Sequence, residues 1–248
     1  MRQREKDTEE FYIQLFRKVS GEFPAGRLVR SESPDFIIES ESGQIGVEVT
    51  RLYKSRDTLR GHLQVQEQER ALLVKEAVRL YEQGKFPPVE AWIHFAIQTN
   101  FNKSNRTLYA TKLKDFISSA VPPERSWHSF DNDFRNSGIL PHEFDSISVA
   151  RYGHKRNFWH IPGGGMIQTD FTKELQDAIN KKDRLLPKYN QSCSSHFLLI
   201  VIDNMDESTL FEPSETTLAE FYSTKFDGVF LLDRFLAKAY KLNTNGAA

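Results

Sequence analysis

Thirteen positions separate Asp35 from Glu48, and both are acidic residues set in apolar, β-type surroundings. Asp35-Phe-Ile-Ile38 and Ile45-Gly-Val-Glu-Val-Thr50 flank a Glu41-Ser-Gly43 turn, the pattern of a β-hairpin. Asp35 opens one strand and Glu48 lies near the far end of the other, so antiparallel pairing brings both carboxylates to one end of the sheet. Strand alternation puts Val47 and Val49 on one face and Gly46, Glu48 and Thr50 on the other. A carboxylate between two valines is costly to bury without a partner. Two hard oxygen donors at one place suit Mg²⁺, whose other positions go to water and phosphate oxygens.

With these residues in that strand context the chain resembles the PD-(D/E)XK nuclease superfamily, the restriction-endonuclease-like fold. Its core order of helix, three-stranded meander, helix and strand matches roughly residues 7–98. The resemblance implies that Asp35 and Glu48 hold Mg²⁺ (or Mn²⁺) and that a lysine helps to activate the attacking water. Thr50 stands where that lysine is expected, and a hydroxyl cannot supply its positive charge.

Members of the superfamily often add a glutamate from the first helix. Phe11, Tyr12, Leu15, Phe16 and Val19 define an apolar helical face. Glu9 flanks that face while Glu10 points nearly opposite, so Glu9 is the third metal-ligand candidate. Both can equally be first-turn acids favouring the helix dipole. On the helix after Thr50, Gln66 falls on the buried stripe at the end nearest the carboxylates and is the candidate for orienting water. It can also belong to a helix that begins to bury only after Ala71. Arg51, Lys54 and Lys182 can replace the missing lysine. Lys182 follows Phe171, Leu175 and Ile179 on one stripe, from which it reaches inward or snorkels from the core edge.

The reaction so implied is phosphodiester hydrolysis of nucleic acid, with DNA the expected substrate and RNA left open. A catalytically inactive protein of the same fold, binding nucleic acid or a protein partner, is the alternative. Arg151, Lys155 and Arg156 lie on a turn beside Tyr152, Phe158 and Trp159, a mixture suited to phosphate contact and base stacking. Gly163-Gly-Gly165 lacks the phosphate-loop patterns. His154 and His160 have no Cys or His at zinc spacing. Asp203-Asn-Met-Asp206 reads as a strand exit and turn.

The elements that must position these groups follow from periodicity. Helices are expected over 7–20, 63–81, 107–119, 169–182 and 214–222, and strands over 27–30, 35–38, 45–50, 89–97, 147–152, 157–161, 196–203 and 226–232. Residues 126–141 read as a loop or a short helical piece. The whole suggests one α/β domain over 1–248 with a mixed sheet, a core of 7–98 and 166–235, and an insertion over 99–165. That insertion is a candidate surface for a protein partner or a second copy of the chain.

Composition limits the alternatives. The 248 residues carry 33 Lys and Arg against 34 Asp and Glu, with 39% hydrophobic residues, so disorder and low-complexity architectures are excluded. A net charge of −1 leaves nucleic-acid binding to local patches. The lone Cys193 cannot form an intrachain disulfide, and the polar start resembles no secretory signal, so a cytoplasmic protein is expected. The apolar run Phe197–Ile202 is far below the ~20 residues of a membrane helix, so no membrane partner is expected.

Overall fold

A computed structural model of the chain describes residues 2–41, 43–54, 63–96, 98–131, 139–189 and 192–246. In chain order, α1 (Arg2–Val19), β1 (Arg27–Arg30), β2 (Phe36–Ser40) and β3 (Gly43–Arg51) come first. They are followed by α2 (Leu63–Gln83), β4 (Glu90–Phe95), α3 (Arg106–Ser119), β5 (Ser126–Asp131), β6 (Phe144–Arg151) and β7 (Phe158–His160). The last part holds α4 (Thr172–Asp183), β8 (Cys193–Ile202), α5 (Glu215–Ala219), β9 (Phe221–Thr224), β10 (Gly228–Asp233), β11 (Lys238–Lys241) and β12 (Asn243–Gly246). The protein is mixed α/β and divides into two compact units, Met1–Ser55 with Gly165–Ala248, and Arg56–Gly164.

The first unit is built on a six-stranded sheet in the order β1-β2-β3-β8-β10-β11. β1, β2 and β3 form an antiparallel meander, β8 and β10 run parallel to β3, and β11 returns antiparallel, so the sheet is mixed. β8 explains the assembly. Its residues Leu198 to Ile202 are all buried, and alternation sends them to opposite faces. Leu199 and Val201 join Val47, Val49, Phe36 and Phe230 beneath Tyr12, Ile13 and Phe16 of α1. Leu198, Ile200 and Ile202 face the other way, onto Phe171, Leu175 and Ile179 at the start and along the stripe of α4. A continuous apolar run is what a strand covered on both faces requires.

The second unit has its own sheet, ordered β5-β6-β4-β7. Leu73, Val74, Ala77 and Tyr81 of α2 pack with Ala110, Leu113 and Ile117 of α3 over Ile93, Ile147 and Val149.

The boundary therefore lies earlier than the expected insertion over 99–165. α2 and β4, expected to complete the core begun at residue 7, belong to the second unit because β4 pairs with β6 and β7 and α2 packs against α3. In the first unit, the next helix and strand after the meander are α4 and β8. Two further expectations are corrected. Part of the loop expected over 126–141 is β5, whose partner β6 supplies the apolar residues that β5 mostly lacks. The helix expected over 214–222 stops at Ala219, and β9 takes up the remainder by pairing with β12. Among the described residues, no helix is long and apolar enough to cross a membrane.

Candidate active site

The register of β2 on β3 pairs Phe36 with Val47, which sets Asp35 against Glu48 one step further out. Asp35 Oδ2 accepts the Val49 N–H at 3.0 Å, which fixes the carboxylate at the end of the sheet. Glu48 is only 6% exposed. Its side chain meets the last turn of α4, where Lys182 Nζ donates to Glu48 Oε1 at 2.5 Å. From α1, Lys6 Nζ donates to Asp35 Oδ1 at 2.5 Å and lies 3.2 Å from Glu9 Oε2. Asp35, Glu48, Glu9 and Lys182 are thus brought to one end of the first unit's sheet, with Lys6 among them.

Burial dominates the electrostatics. It pushes the Glu48 pKa above the ordinary glutamate value, and the Asp35 charge adds to the rise while Lys182 opposes it. Glu9 is raised for the same two reasons, burial and Asp35, with Lys6 opposing. Burial works against the charge of Lys6, but the hydrogen bond to Asp35 and the charges of Asp35 and Glu9 outweigh it, leaving the ammonium above the ordinary lysine range. Tyr189 lies beside Glu48, and burial together with that negative charge drives its phenol far up.

The cluster opens onto a cleft of about 830 Å³ lined by Glu9, Tyr12, Thr50, Arg51, Tyr53 and Lys182. Thr50 places a hydroxyl where the motif lysine was expected. Arg51 is on the other side of the strand from Glu48, as alternation requires, and its Nη2 lies 2.7 Å from Asp203 Oδ2. Asp203, at the end of β8, also takes Arg234 and the Tyr12 hydroxyl, the latter at 3.2 Å. Burial and the Asp203 charge push Tyr12 up to about 12. Lys54 is committed elsewhere, its Nζ donating to the Met166 carbonyl at 2.6 Å.

Gln66 requires a correction. It is buried in the second unit, with its carboxamide fully engaged: Oε1 accepts the Phe101 N–H at 2.8 Å, and Nε2 donates to Asn100 Oδ1 at 2.8 Å and to the Phe101 carbonyl at 3.1 Å. The polar group on the core-facing stripe is explained by a loop that needed hydrogen bonds, not by the carboxylates. Arg151 ends β6, and Lys155 and Arg156 are exposed on the turn that follows. The Arg156 guanidinium lies 4.9 Å from the centre of the Phe158 ring.

Sequence reasoning missed Lys6, Tyr189 and the burial of Asp203. Lys6 carried a signal, since it precedes Glu9 by three residues and so shares its helical edge. Tyr189 carried none, because it follows α4 in an irregular segment.

The donor chemistry suits a hard divalent cation: Asp35, Glu48 and Glu9 offer carboxylate oxygens only. As placed, they are held by ammonium groups, and no three His, Cys, Asp or Glu side chains among the described residues converge as a metal-binding group. In comparisons with known proteins, no family model, no curated protein and no solved structure matches the chain.

Proposed function

We propose that the first unit is a restriction-endonuclease-like nuclease core that hydrolyses phosphodiester bonds of nucleic acid, with DNA the expected substrate and Mg²⁺ or Mn²⁺ the metal. The observation that carries this reading is Lys182 on Glu48 at 2.5 Å, at the sheet end that holds Asp35. It supplies the cation that Thr50 cannot, from the helix preceding the strand that runs parallel to β3. Completion of the helix–meander–helix–strand order by α4 and β8 supports the same reading.

Asp35 and Glu48 would hold the metal, with Glu9 beside them, and the metal when bound would lower the pKa of a water and offset charge on the phosphate. Asp35 is kept in place by the Val49 N–H. Lys182 opposes the rise that burial and the Asp35 charge impose on Glu48, and offers a positive charge to the developing phosphate anion. Lys6 neutralises Asp35 and Glu9 in the absence of other cations, and must yield to a divalent ion. Arg151, Lys155 and Arg156 contact the nucleic-acid backbone.

A second reading is supported by Lys6 itself. A carboxylate cluster already neutralised by lysines fits a protein of this fold that binds nucleic acid or another protein without cutting. Incubation with plasmid DNA, single-stranded DNA and RNA in Mg²⁺ separates the two. Cleavage abolished by Asp35→Asn and Glu48→Gln, with folding intact, is expected for the nuclease; binding with no cleavage of any substrate supports the second reading.

A further inference from the structure

The first unit has a second pocket, independent of the carboxylate–lysine cluster, between the β10–β11 turn and the segment around residues 210–212. Its volume is about 340 Å³, and Ile167, Leu210, Phe211, Phe235 and Leu236 form apolar walls. Residue 168 is tied to this segment on both sides: Gln168 N–H donates to the Leu210 carbonyl at 3.1 Å and the Glu212 N–H to the Gln168 carbonyl at 3.1 Å. The opposite wall is fixed by Asp233, whose Oδ1 accepts the Leu236 N–H at 3.0 Å and so closes the turn.

The other oxygen of Asp233 is the unusual feature. Asp233 lines the pocket and is 1% exposed, and its Oδ2 has no hydrogen-bond partner among the described residues. Arg234, the adjacent cation, is turned to Asp203, and among the described residues no ion pair joins Asp233 to Lys238, its partner in register. Glu212 lines the same pocket, and the charges of Asp233 and Glu212 both add to burial in raising the Tyr240 phenol. A buried carboxylate oxygen without a partner is costly, and a ligand that supplies a charged donor recovers that cost. The walls leave Ile167 53%, Phe235 74% and Leu236 50% exposed, apolar area that a monomer gains nothing by displaying.

We propose that this pocket receives a basic side chain, lysine or arginine, flanked by apolar residues on a docking segment of a protein partner. The ammonium or guanidinium meets Asp233 Oδ2 with Glu212 nearby, and the apolar neighbours cover Phe235, Leu236 and Ile167. The proposal does not depend on the nuclease reading.

The test is calorimetric titration of the full chain with acetyl-Phe-Lys-Leu-amide and with its isostere acetyl-Phe-norleucine-Leu-amide, which lacks only the amine. The lysine peptide is expected to bind about tenfold more tightly. Asp233→Asn should abolish that preference, and Phe235→Ala, at an exposed position, should weaken both peptides while leaving the preference intact. Equal affinity for the two peptides, no binding of either, or a preference that survives Asp233→Asn would overturn the proposal. Free benzylammonium binding as tightly as the lysine peptide would also overturn it, since the site would then take a small amine.

Discussion

Lys182 and Glu48 are 134 residues apart in the chain and meet at 2.5 Å, the lysine on the last turn of α4 and the glutamate inside β3. Each explains the other. Glu48 is tolerated among valines because a cation reaches it, and Lys182 leaves the α4 surface because a buried carboxylate attracts it. Lys182→Met should lower turnover by about a hundredfold or more, and Lys182→Arg should restore part of it. The Met variant should also lose about 1–3 kcal/mol of stability from the unpaired Glu48. Single-turnover cleavage and thermal melts measure both effects.

Glu9 and Glu48 have raised pKa values, so the folded chain keeps protons that the unfolded chain has lost. Their contribution to stability is greatest at low pH and falls as pH rises from the ordinary glutamate value through the raised ones. In EDTA, the wild type should lose stability relative to Glu48→Gln across that window, and a saturating divalent cation should reverse the trend. Paired thermal melts over about pH 4 to 8 read the difference directly. A wild type that gains on the variant as pH rises would refute the upward shift of Glu48.

Gln66 tests the separation of structure from chemistry. Gln66→Leu strips the Phe101 N–H and carbonyl of their partners and should cost about 1–3 kcal/mol of stability. Cleavage by the folded variant should stay within about twofold of wild type, a change of roughly 0.4 kcal/mol in the barrier. A large loss of cleavage with intact stability would return Gln66 to the active site.

Binding to nucleic acid should depend on the exposed turn after β6. Lys155→Gln and Arg156→Gln together should weaken binding at every sequence and flatten the logarithmic salt dependence by roughly 0.7–0.9 per charge removed. Fluorescence anisotropy at several salt concentrations gives the slope, and an unchanged slope would remove this turn from the interface.

The hairpin, the first helix and the different edges of that helix taken by Glu9 and Glu10 are legible because each rests on local periodicity. Glu10 indeed points away and pairs with Arg30. The closure of the core was not legible. α2 and β4 follow β3 directly and have the right character, and nothing local distinguishes them from α4 and β8, which arrive after the whole second unit. Only the burial of β8 on both faces decides the matter, and that is a property of its neighbours. Lys182 was visible as a stripe residue, but whether it snorkelled or paired depended on Glu48, 134 positions away.

Asp35 and Glu48 are expected to exchange their lysine partners for a divalent cation when nucleic acid is present. Calorimetric titration of Mn²⁺ into the protein bound to a phosphorothioate DNA duplex tests it most directly. The expected result is saturable binding that Asp35→Asn and Glu48→Gln each abolish while the duplex still binds. Absence of Mn²⁺ binding in the wild-type complex, or binding unchanged in both variants, would contradict it.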